Sequence, residues 1–475
     1  MADKLLLFLP EAYLLGMALV MFFFSLSDRQ SPARAHALTL VLAAGLVVTA
    51  VCALGREGML FYDAYRVDLF SQLFKAVLAL SLFLVVMVCG ELKAVDSRYH
   101  PEFYFFLCTC TLGMMMLVSG MELMTIYLSL ELSSFSLYIL VPLRKGSDLD
   151  VEAGIKYLFI GVAASCLMLF GMSYIFGMTG TTYVPALMAK LPQLMAQPAV
   201  FLGLLLILAG FFFKLAVFPF HFWAPDVYQG AANQVTTYIA TASKVAAVAL
   251  LIRITALSQA NSATLITVLT VLSLASMTLG NLVAIVQKDL KRMLAYSAIA
   301  HAGYVLIGVL SMSPGGYSSA VFYTSSYVLM SFAVFMVVVK VAADGRDLRI
   351  DDLAGLHQRA PLLALTMMMG LFSLAGIPPT AGFTGKFLVF AAAMEKGDFW
   401  LVFIGMVNAT ISLYYYLMVI KAAYLQEAPA GQTAITLSLP DRLLNYALIG
   451  AMVYLGLVPG QFLHLARAAV KGMFL

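Results

Sequence analysis

Apolar runs of membrane length, separated by short polar connections, occupy nearly the whole chain. A transmembrane helix needs about 20 predominantly apolar residues, and fourteen runs have roughly that length. They lie near residues 5–26, 36–54, 70–90, 103–120, 122–143, 154–178, 199–220, 233–257, 263–286, 291–311, 318–342, 362–394, 398–424 and 443–463. The pattern therefore predicts an all-α integral membrane protein with about fourteen transmembrane helices.

Prolines interrupt two of these runs. Pro219 follows Lys214 in the seventh run, and Pro378 and Pro379 lie between glycines in the twelfth. Proline removes a helix donor, and a freed backbone carbonyl at membrane depth is tolerated only inside protein or beside a wet cavity. We therefore expect broken seventh and twelfth helices.

The two interrupted runs share a short sequence pattern. KLAVFPFHFW (214–223) and SLAGIPPTAGF (373–383) both contain Leu-Ala-x-x-Pro, and five membrane segments separate them. A unit of five helices that occurs twice must return with opposite orientation, because five is odd. The pattern predicts two inverted five-helix repeats, an arrangement typical of a transport site near the middle of the membrane.

Composition agrees with a multi-pass membrane protein. Hydrophobic residues make up 63% of the chain and charged residues 11%, with a mean hydropathy of +0.96, whereas soluble proteins contain about 25% charged residues. We interpret the N-terminal run as the first membrane helix and not as a cleavable signal. The five cysteines have no C-x-x-C spacing and are interpreted as packing thiols.

Lysine and arginine are distributed unevenly between the two sets of connections. The odd-numbered connections contain 14 of these residues, and the even-numbered connections with the two termini contain 8. Because cytoplasmic loops carry an excess of positive charge, the odd connections are predicted to face the cytoplasm. We expect a bacterial inner (cytoplasmic) membrane protein with both termini on the outer, periplasmic side.

Four ionisable residues lie deep within the predicted helices: Glu131, Lys214, Lys244 and Lys386. A charge at a helix centre costs about 2.5–3.5 kcal/mol, so four would cost about 10–14 kcal/mol if the values added. Three further lysines lie nearer helix ends. Lys340, near a cytoplasmic end, can extend toward the interface, and we expect Lys75 and Lys156, about one and a half turns inside their helices, to do so in part.

Polar residues accompany the deep charges at helical spacing. The groups that share one helix face are Tyr127, Glu131, Ser134 and Tyr138; Thr237, Thr241 and Lys244; Ser297, His301 and Tyr304; and Thr324, Tyr327 and Ser331. Such stripes can hold water or a chain of hydrogen bonds. His301, and His221 beside the proline break, are further candidate relay groups.

Each feature also has a purely structural interpretation. Serine and threonine pack membrane helices, a buried histidine often makes one interhelical hydrogen bond, and a buried Lys–Glu pair can join two helices. Three deep lysines, one deep glutamate and two broken helices together favour an ion path.

The pattern favours proton movement that is driven by an energy source outside this chain. A nearby carboxylate stabilises a charged lysine, so Lys214 would hold its proton while Glu131 is close and release it when the pair separates. Lys244 would accept the proton and Lys386 would pass it to the far side. The chain has no nucleotide-binding loop and no haem or iron–sulfur spacing, so the energy must come from another source.

Six stretches resemble a known family. They are SLELSSFSLYIL (129–140), EAGIKYLFIGVAAS (152–165), FKLAVFPFHFWAPDVYQGA (213–231), ASKVAAVALLIRI (242–254), QKDLKRMLAYSAIAHAGYVLIG (287–308) and LAGIPPTAGFTGKFLVF (374–390). At these residues the chain resembles the antiporter-like membrane subunits of respiratory complex I, the proton-translocating NADH:quinone oxidoreductase. Among these it is most similar to the N subunits.

The resemblance implies a role for each deep charge. Glu131 would be the carboxylate of the fifth helix and Lys214 its partner on the broken seventh helix. Lys244 would be the central relay on the eighth helix, and Lys386 the exit-side group on the twelfth. His301 would bridge the two halves of the path.

The resemblance also implies partners and a domain division. No redox cofactor is expected in this chain, because NADH, flavin (FMN), iron–sulfur clusters and quinone would be bound by partner subunits. The partners would be other membrane subunits of complex I, including sibling antiporter-like subunits, within the lipid bilayer and without nucleic acid. The expected divisions are residues 1–120 (helices 1–4), 121–415 (the proton-conducting core, helices 5–13) and 416–475 (the end of helix 13, a linker and helix 14).

Two alternatives remain open from the sequence. The chain could be a subunit of a multi-subunit cation/proton antiporter, which shares the same core, or a membrane scaffold whose charges only pack. Lys386 and the tenth run, which resembles that of the N subunits (296–304), favour the complex I subunit over the antiporter subunit.

Overall fold

The computed structural model describes residues 2–27, 31–145, 148–257, 263–428 and 434–473, and most of them are helical. The helices, in chain order, are α1 (Ala2–Leu7), α2 (Leu9–Ser25), α3 (Pro32–Cys52), α4 (Leu69–Val88), α5 (His100–Ser119), α6 (Leu123–Leu140), α7 (Asp148–Thr179), α8 (Val184–Leu194), α9 (Pro198–Leu215), α10 (Trp223–Gly230), α11 (Asn233–Thr241), α12 (Val245–Leu257), α13 (Ala263–Ile285), α14 (Leu290–Leu310), α15 (Pro314–Val341), α16 (Leu356–Arg359), α17 (Pro361–Ala375), α18 (Ala381–Glu395), α19 (Phe399–Leu425), α20 (Leu439–Leu457) and α21 (Gly460–Met473).

The helical membrane fold predicted from the apolar runs is confirmed. In the described ranges, 11 helices are long and apolar enough to cross a membrane, or up to 12 if the bent pair α20 and α21 forms one span. Two shorter apolar helices, α2 and α17, lie below that length. The number fourteen and the inverted repeats stay predictions.

A short antiparallel hairpin is the one departure from an all-helical chain among the described residues. Strand β1 (Gly58–Leu60) pairs with β2 (Tyr65–Val67), with Met59 opposite Arg66. The hairpin lies between α3 and α4, and its Tyr65 is buried. Strands of three residues leave almost no periodic signal in a sequence.

Both proline-interrupted helices are broken as predicted. Helix α9 ends at Leu215, Ala216 takes a left-handed conformation with φ 58°, and α10 begins at Trp223. Helix α17 ends at Ala375 and is followed by Gly376 with φ 88°. Ala216 and Gly376 are the left-handed residues at the two breaks and therefore occupy equivalent positions. The Leu-Ala-x-x-Pro pattern instead aligns Ala216 with Ala375, so the structural and the sequence alignment differ by one residue.

The eighth run is also interrupted, where one continuous helix was expected. Helix α11 ends at Thr241 and α12 begins at Val245, so a turn that ends in Lys244 separates them. No proline or glycine marks this place in the sequence.

The chain forms two compact units. The first comprises Met1–Ala216, Gly230–Thr267 and Ala468–Leu475, and the second comprises Val217–Gln229 and Val268–Arg467. In the first unit α7 packs along α9 and α5 packs along α6, while in the second α15 packs against α17 and α18. The division at residues 121 and 416 that the sequence suggested stays a prediction.

Small residues allow close helix contact in the first unit. A Cβ atom on Gly171 of α7 would lie 2.5 Å from the carbonyl oxygen of Gly203 on α9. Membrane helices approach closely where small residues face each other, because lipid offers no competing hydrophobic gain. This contact holds α9, the helix that ends beside Lys214, firmly against α7.

Candidate functional site

Glu131 and Lys214 reach the same face of α6. Glu131 is half-buried and accepts a hydrogen bond from the hydroxyl of Ser165 on α7. The ammonium of Lys214 is buried, with 1% of the residue exposed, and donates to Oγ of Ser134 at 3.2 Å. Ser134 follows Glu131 by one helical turn, so the carboxylate and the ammonium have neighbouring positions on α6. Among the described contacts the two groups form no ion pair within 4 Å, and each has a hydroxyl partner.

Lys244 lies in the same unit, at the turn between α11 and α12. The residue is 5% exposed, and its carbonyl accepts the N–H of Val248 at 3.1 Å, which begins the hydrogen bonding of α12. On α11, Thr241 and Thr237 donate to backbone carbonyls four residues earlier. Both threonine hydroxyls of the predicted stripe therefore already donate to backbone carbonyls of their own helix.

In the second unit, Lys386 lies against the break between α17 and α18. Its ammonium donates to the carbonyl oxygen of Ala375, the last residue of α17, at 2.9 Å. It also lies 4.7 Å from the centre of the Tyr304 ring. A cation is stabilised at a helix C-terminus and over an aromatic face. The broken helix thus provides a ready binding place for this lysine.

Gly376 gives Lys386 the room to reach that carbonyl. Its φ of 88° lies in the left-handed region, and an added Cβ atom would lie 3.0 Å from Cδ of Lys386. Both the backbone conformation and the space favour glycine at this position.

His301 is the centre of a chain of hydroxyl groups in the second unit. Its Nδ1 lies 2.6 Å from the hydroxyl of Tyr323, and its Nε2 lies 3.2 Å from the hydroxyl of Tyr416. Ser297 and Tyr416 share a hydrogen bond of 2.5 Å. The predicted face of Ser297, His301 and Tyr304 is therefore lined by tyrosines from other helices.

His221 lies apart from these hydrogen bonds. Its buried ring stacks with Phe218 and Phe222, with ring centres 5.7 Å and 4.4 Å away. These contacts are aromatic packing at the break after α9, and the relay role of His221 stays a prediction.

Several polar residues at the site had no distinctive sequence signal. Tyr304 accepts a hydrogen bond from Asn281, and Asn281 in turn accepts one from Tyr415. Asn281 and Tyr415 come from α13 and α19, far apart in sequence, so only the fold brings them together. A lone asparagine in an apolar run was the available hint.

Of the three lysines expected at helix ends, Lys75 is placed differently. Lys156 pairs with Glu152 at 2.6 Å and Lys340 with Asp441 at 2.7 Å, both with partly exposed side chains. Lys75 is instead fully buried and pairs with Glu11 at 2.7 Å. The expectation for Lys75 was wrong because a buried carboxylate from α2 removes the need to reach water.

Comparison with known proteins supplies the family. A family model described as "NADH:quinone oxidoreductase/Mrp antiporter, TM" matches residues 120–412. NADH-quinone oxidoreductase subunit N 2 of Syntrophobacter fumaroxidans is 54% identical over 98% of this chain and 99% of its own length. The chain belongs to the subunit N family of NADH:quinone oxidoreductase.

Solved structures agree with this family. A chain of respiratory complex I from Thermus thermophilus with bound aureothin has a TM-score of 0.82 and 31% identity, covering 96% of this chain and 99% of that one. A chain of the Mrp complex from Dietzia sp. DQ12-45-1b has a TM-score of 0.86 at 20% identity, covering 100% and 98%. The second likeness shows a shared fold. Membership in the subunit N family makes the chain an antiporter-like, multi-pass membrane protein.

Proposed function

We propose that the chain is the proton-translocating N subunit of an NADH:quinone oxidoreductase, in which protons move along Glu131, Lys214, Lys244 and Lys386. The observation that supports this most is Lys214, whose ammonium is buried at the end of a broken helix and bonded to Ser134. Ser134 lies one turn from Glu131, so a change of side-chain rotamer can open or close the ion pair.

The two hydroxyl partners make the pair a switch. While Glu131 accepts from Ser165, Lys214 lacks the carboxylate that would hold it in the charged form. When the pair closes, the carboxylate stabilises the ammonium and the proton stays. The hydroxyl of Ser134 can both accept and donate a hydrogen bond, so it can receive the proton from Lys214 and pass it on.

The later steps use groups beside helix breaks. Lys244 receives the proton at the turn between α11 and α12. Lys386 receives it next, binds it against the carbonyl of Ala375, and releases it on the far side of the membrane. His301, with tyrosine hydroxyls at both ring nitrogens, bridges the two halves of the path.

The energy would come from partner subunits of the complex. Moving one charge against the membrane potential takes about 2.3 kcal/mol per 100 mV, and electron transfer from NADH to quinone supplies it. NADH, flavin, iron–sulfur clusters and quinone are assigned to those partners, and sibling antiporter-like subunits are neighbours in the membrane. The membrane is the bacterial inner membrane, with both termini on the periplasmic side.

A cation/proton antiporter is the weaker alternative. The likeness to the Mrp complex lies at 20% identity, whereas the relative from Syntrophobacter fumaroxidans is 54% identical over nearly the full length. The names of that relative and of the Thermus thermophilus complex both support a subunit of a redox-driven complex.

Lys214→Ala in the assembled complex tests the proposal. We expect partial electron transfer and at least a twofold loss of protons moved per electron pair, because the first carrier after Glu131 is absent. Proton uptake and NADH oxidation by inverted membrane vesicles measure the two quantities. Lys396→Ala, at an exposed lysine, is the matched control and should pump normally. Normal pumping by an assembled Lys214→Ala complex would refute the relay.

A further inference from the structure

A second buried ion pair lies in the first unit, outside the residues of the proposed relay. Lys75 on α4 and Glu11 on α2 are 2.7 Å apart, with both side chains fully buried. The hydroxyl of Tyr65 donates to the same carboxylate at 2.6 Å, and the Lys75 ammonium lies 5.1 Å from the centre of the Tyr65 ring. A buried ion pair often stabilises less than apolar residues of the same volume, so stability alone is a weak reason for it.

The pair is one end of a polar stripe along α4. Asp68, Gln72 and Lys75 follow at spacings of four and three residues, so they share one helix face. At the other end, Arg253 of α12 donates two hydrogen bonds to Asp68, at 2.9 and 3.0 Å. The stripe rises about 10 Å along the helix, roughly one third of the apolar thickness of a bilayer.

Gln72 is the polar group in the middle of this stripe. The residue is fully buried, and in the part of the chain that the structure describes neither its amide nitrogen nor its amide oxygen has a hydrogen-bond partner. Oε2 of Glu11 is likewise unpartnered among the described residues. Buried amides and carboxylates are normally hydrogen-bonded to protein or water. These atoms, one donor and two acceptors, therefore point to a small polar ligand such as water.

Asp68 and Arg253 have fixed charges. Burial by itself raises the pKa of Asp68, but the adjacent Arg253 guanidinium outweighs it and lowers this pKa to about 2. Arginine stays protonated in proteins.

The stripe adjoins the middle of the proposed relay. Helices α11 and α12, which flank Lys244, both pack against α4. The Asp68 end of the stripe adjoins the β1–β2 hairpin, because Asp68 directly follows β2. Tyr65 of the same strand reaches the Glu11–Lys75 end.

We propose that Glu11 and Lys75 form a second proton-carrying site, a branch that joins Lys244 to the hairpin side of the membrane through water bound at Gln72. This branch rests on the proposed function. In each cycle one proton leaves the Lys244 ammonium and passes through water at Gln72 to the Glu11 carboxylate, so an N–H bond of Lys244 breaks and an O–H bond on Glu11 forms. The same proton then leaves Glu11 for water on the hairpin side, which restores the carboxylate, and Lys214 reprotonates Lys244.

Gln72→Leu is the sharpest test. A purely structural stripe predicts normal or improved assembly and normal pumping, because the substitution removes a side-chain amide that makes no hydrogen bond to the described residues. The branch predicts normal assembly and fewer protons per electron pair than in the parent complex. Gln197→Leu, at an exposed glutamine, is the control and should be unchanged. Normal pumping by Gln72→Leu would overturn the branch.

A double variant tests the ion pair itself. Glu11→Gln with Lys75→Met removes both charges together and leaves no unpaired charge, so we expect assembly with the same loss of pumping. Glu91→Gln with Lys93→Met removes an exposed ion pair of the same type and should pump normally. Should the buried double variant fail to assemble, Gln72→Leu still decides.

The two proposals fail differently. Normal pumping by Lys214→Ala would overturn the proposed function, whatever the stripe variants do. Reduced pumping by Lys214→Ala, with normal pumping by Gln72→Leu, would overturn the branch alone.

Discussion

The two deep lysines with described side-chain partners are held by different chemical groups. Lys214 donates to a serine hydroxyl, whereas Lys386 donates to a backbone carbonyl and lies over an aromatic ring. A hydroxyl can pass a proton onward, because it both accepts and donates, but a carbonyl only accepts. We infer that Lys214 exchanges its proton readily, whereas Lys386 holds the positive charge more tightly.

Lys386→Arg separates binding the charge from releasing the proton. Arginine keeps a cation and a donor at the end of α17 but stays protonated at all physiological pH values. We expect assembly and thermal stability near those of the parent, with proton pumping lost. Vesicle assays give the pumping, and unfolding of the purified complex in detergent gives the stability. A pumping Lys386→Arg complex would show that this lysine only packs.

Sequence reasoning found the deep residues but not all their surroundings. Depth within an apolar run identified Lys214, Lys244 and Lys386, and the structure buries all three. Lys75 was misjudged, because distance from a helix end says nothing of a carboxylate on another helix. The tyrosines around His301 also come from other helices, so no local pattern marks them.

The three deep lysines lie beside helix breaks. The breaks after α9 and α17 begin with left-handed residues, and a third break separates α11 from α12 at Lys244. Prolines in the sequence predicted the first two breaks. The third has no proline or glycine and must arise from packing around Lys244, which is why sequence alone gave one continuous helix.

Gly376→Ala tests the element that holds Lys386. The left-handed conformation costs an alanine about 1–2 kcal/mol, and the added methyl group also crowds Cδ of Lys386. We expect lower stability together with reduced pumping. Gly397→Ala is the matched control, since its φ is 85° but no atom lies within 4 Å of the added Cβ.

Comparison of the two glycine variants isolates the lysine contact. Gly397→Ala should lose similar stability, measured as the unfolding midpoint in detergent, and pump normally. Equal pumping by both variants would mean that Lys386 does not depend on the geometry of the break.

For the whole molecule, hydropathy identifies the spans but not their surroundings. The span Asn233–Ala256 has mean hydropathy 1.7 and contains an 18-residue window that is entirely buried, whereas Phe399–Leu425 has mean hydropathy 1.6 and only 33% of its window is buried. Two nearly equal values thus belong to an interior helix and a peripheral one. The helical fold could be predicted because every span must be apolar, but the interior order depends on contacts that composition does not record.

Cysteine labelling tests the predicted orientation. In a background without the exposed Cys52 and Cys166, Glu57→Cys should react with a membrane-impermeant maleimide from the periplasmic side. Lys145→Cys should react only in inverted vesicles, because the odd connections are predicted to face the cytoplasm. Both positions are exposed. The opposite labelling pattern would reverse the direction assigned to every step of the relay.

The burial of Asn233–Ala256 has a consequence for biogenesis. A segment whose residues are almost all buried within the protein can include Asn233, Gln234 and Lys244, because neighbouring helices surround them. The same segment is then a poor candidate for stable insertion by itself when it leaves the ribosome. It should remain near the translocon until later helices arrive, so deleting those helices should leave the truncated chain vulnerable to membrane proteases.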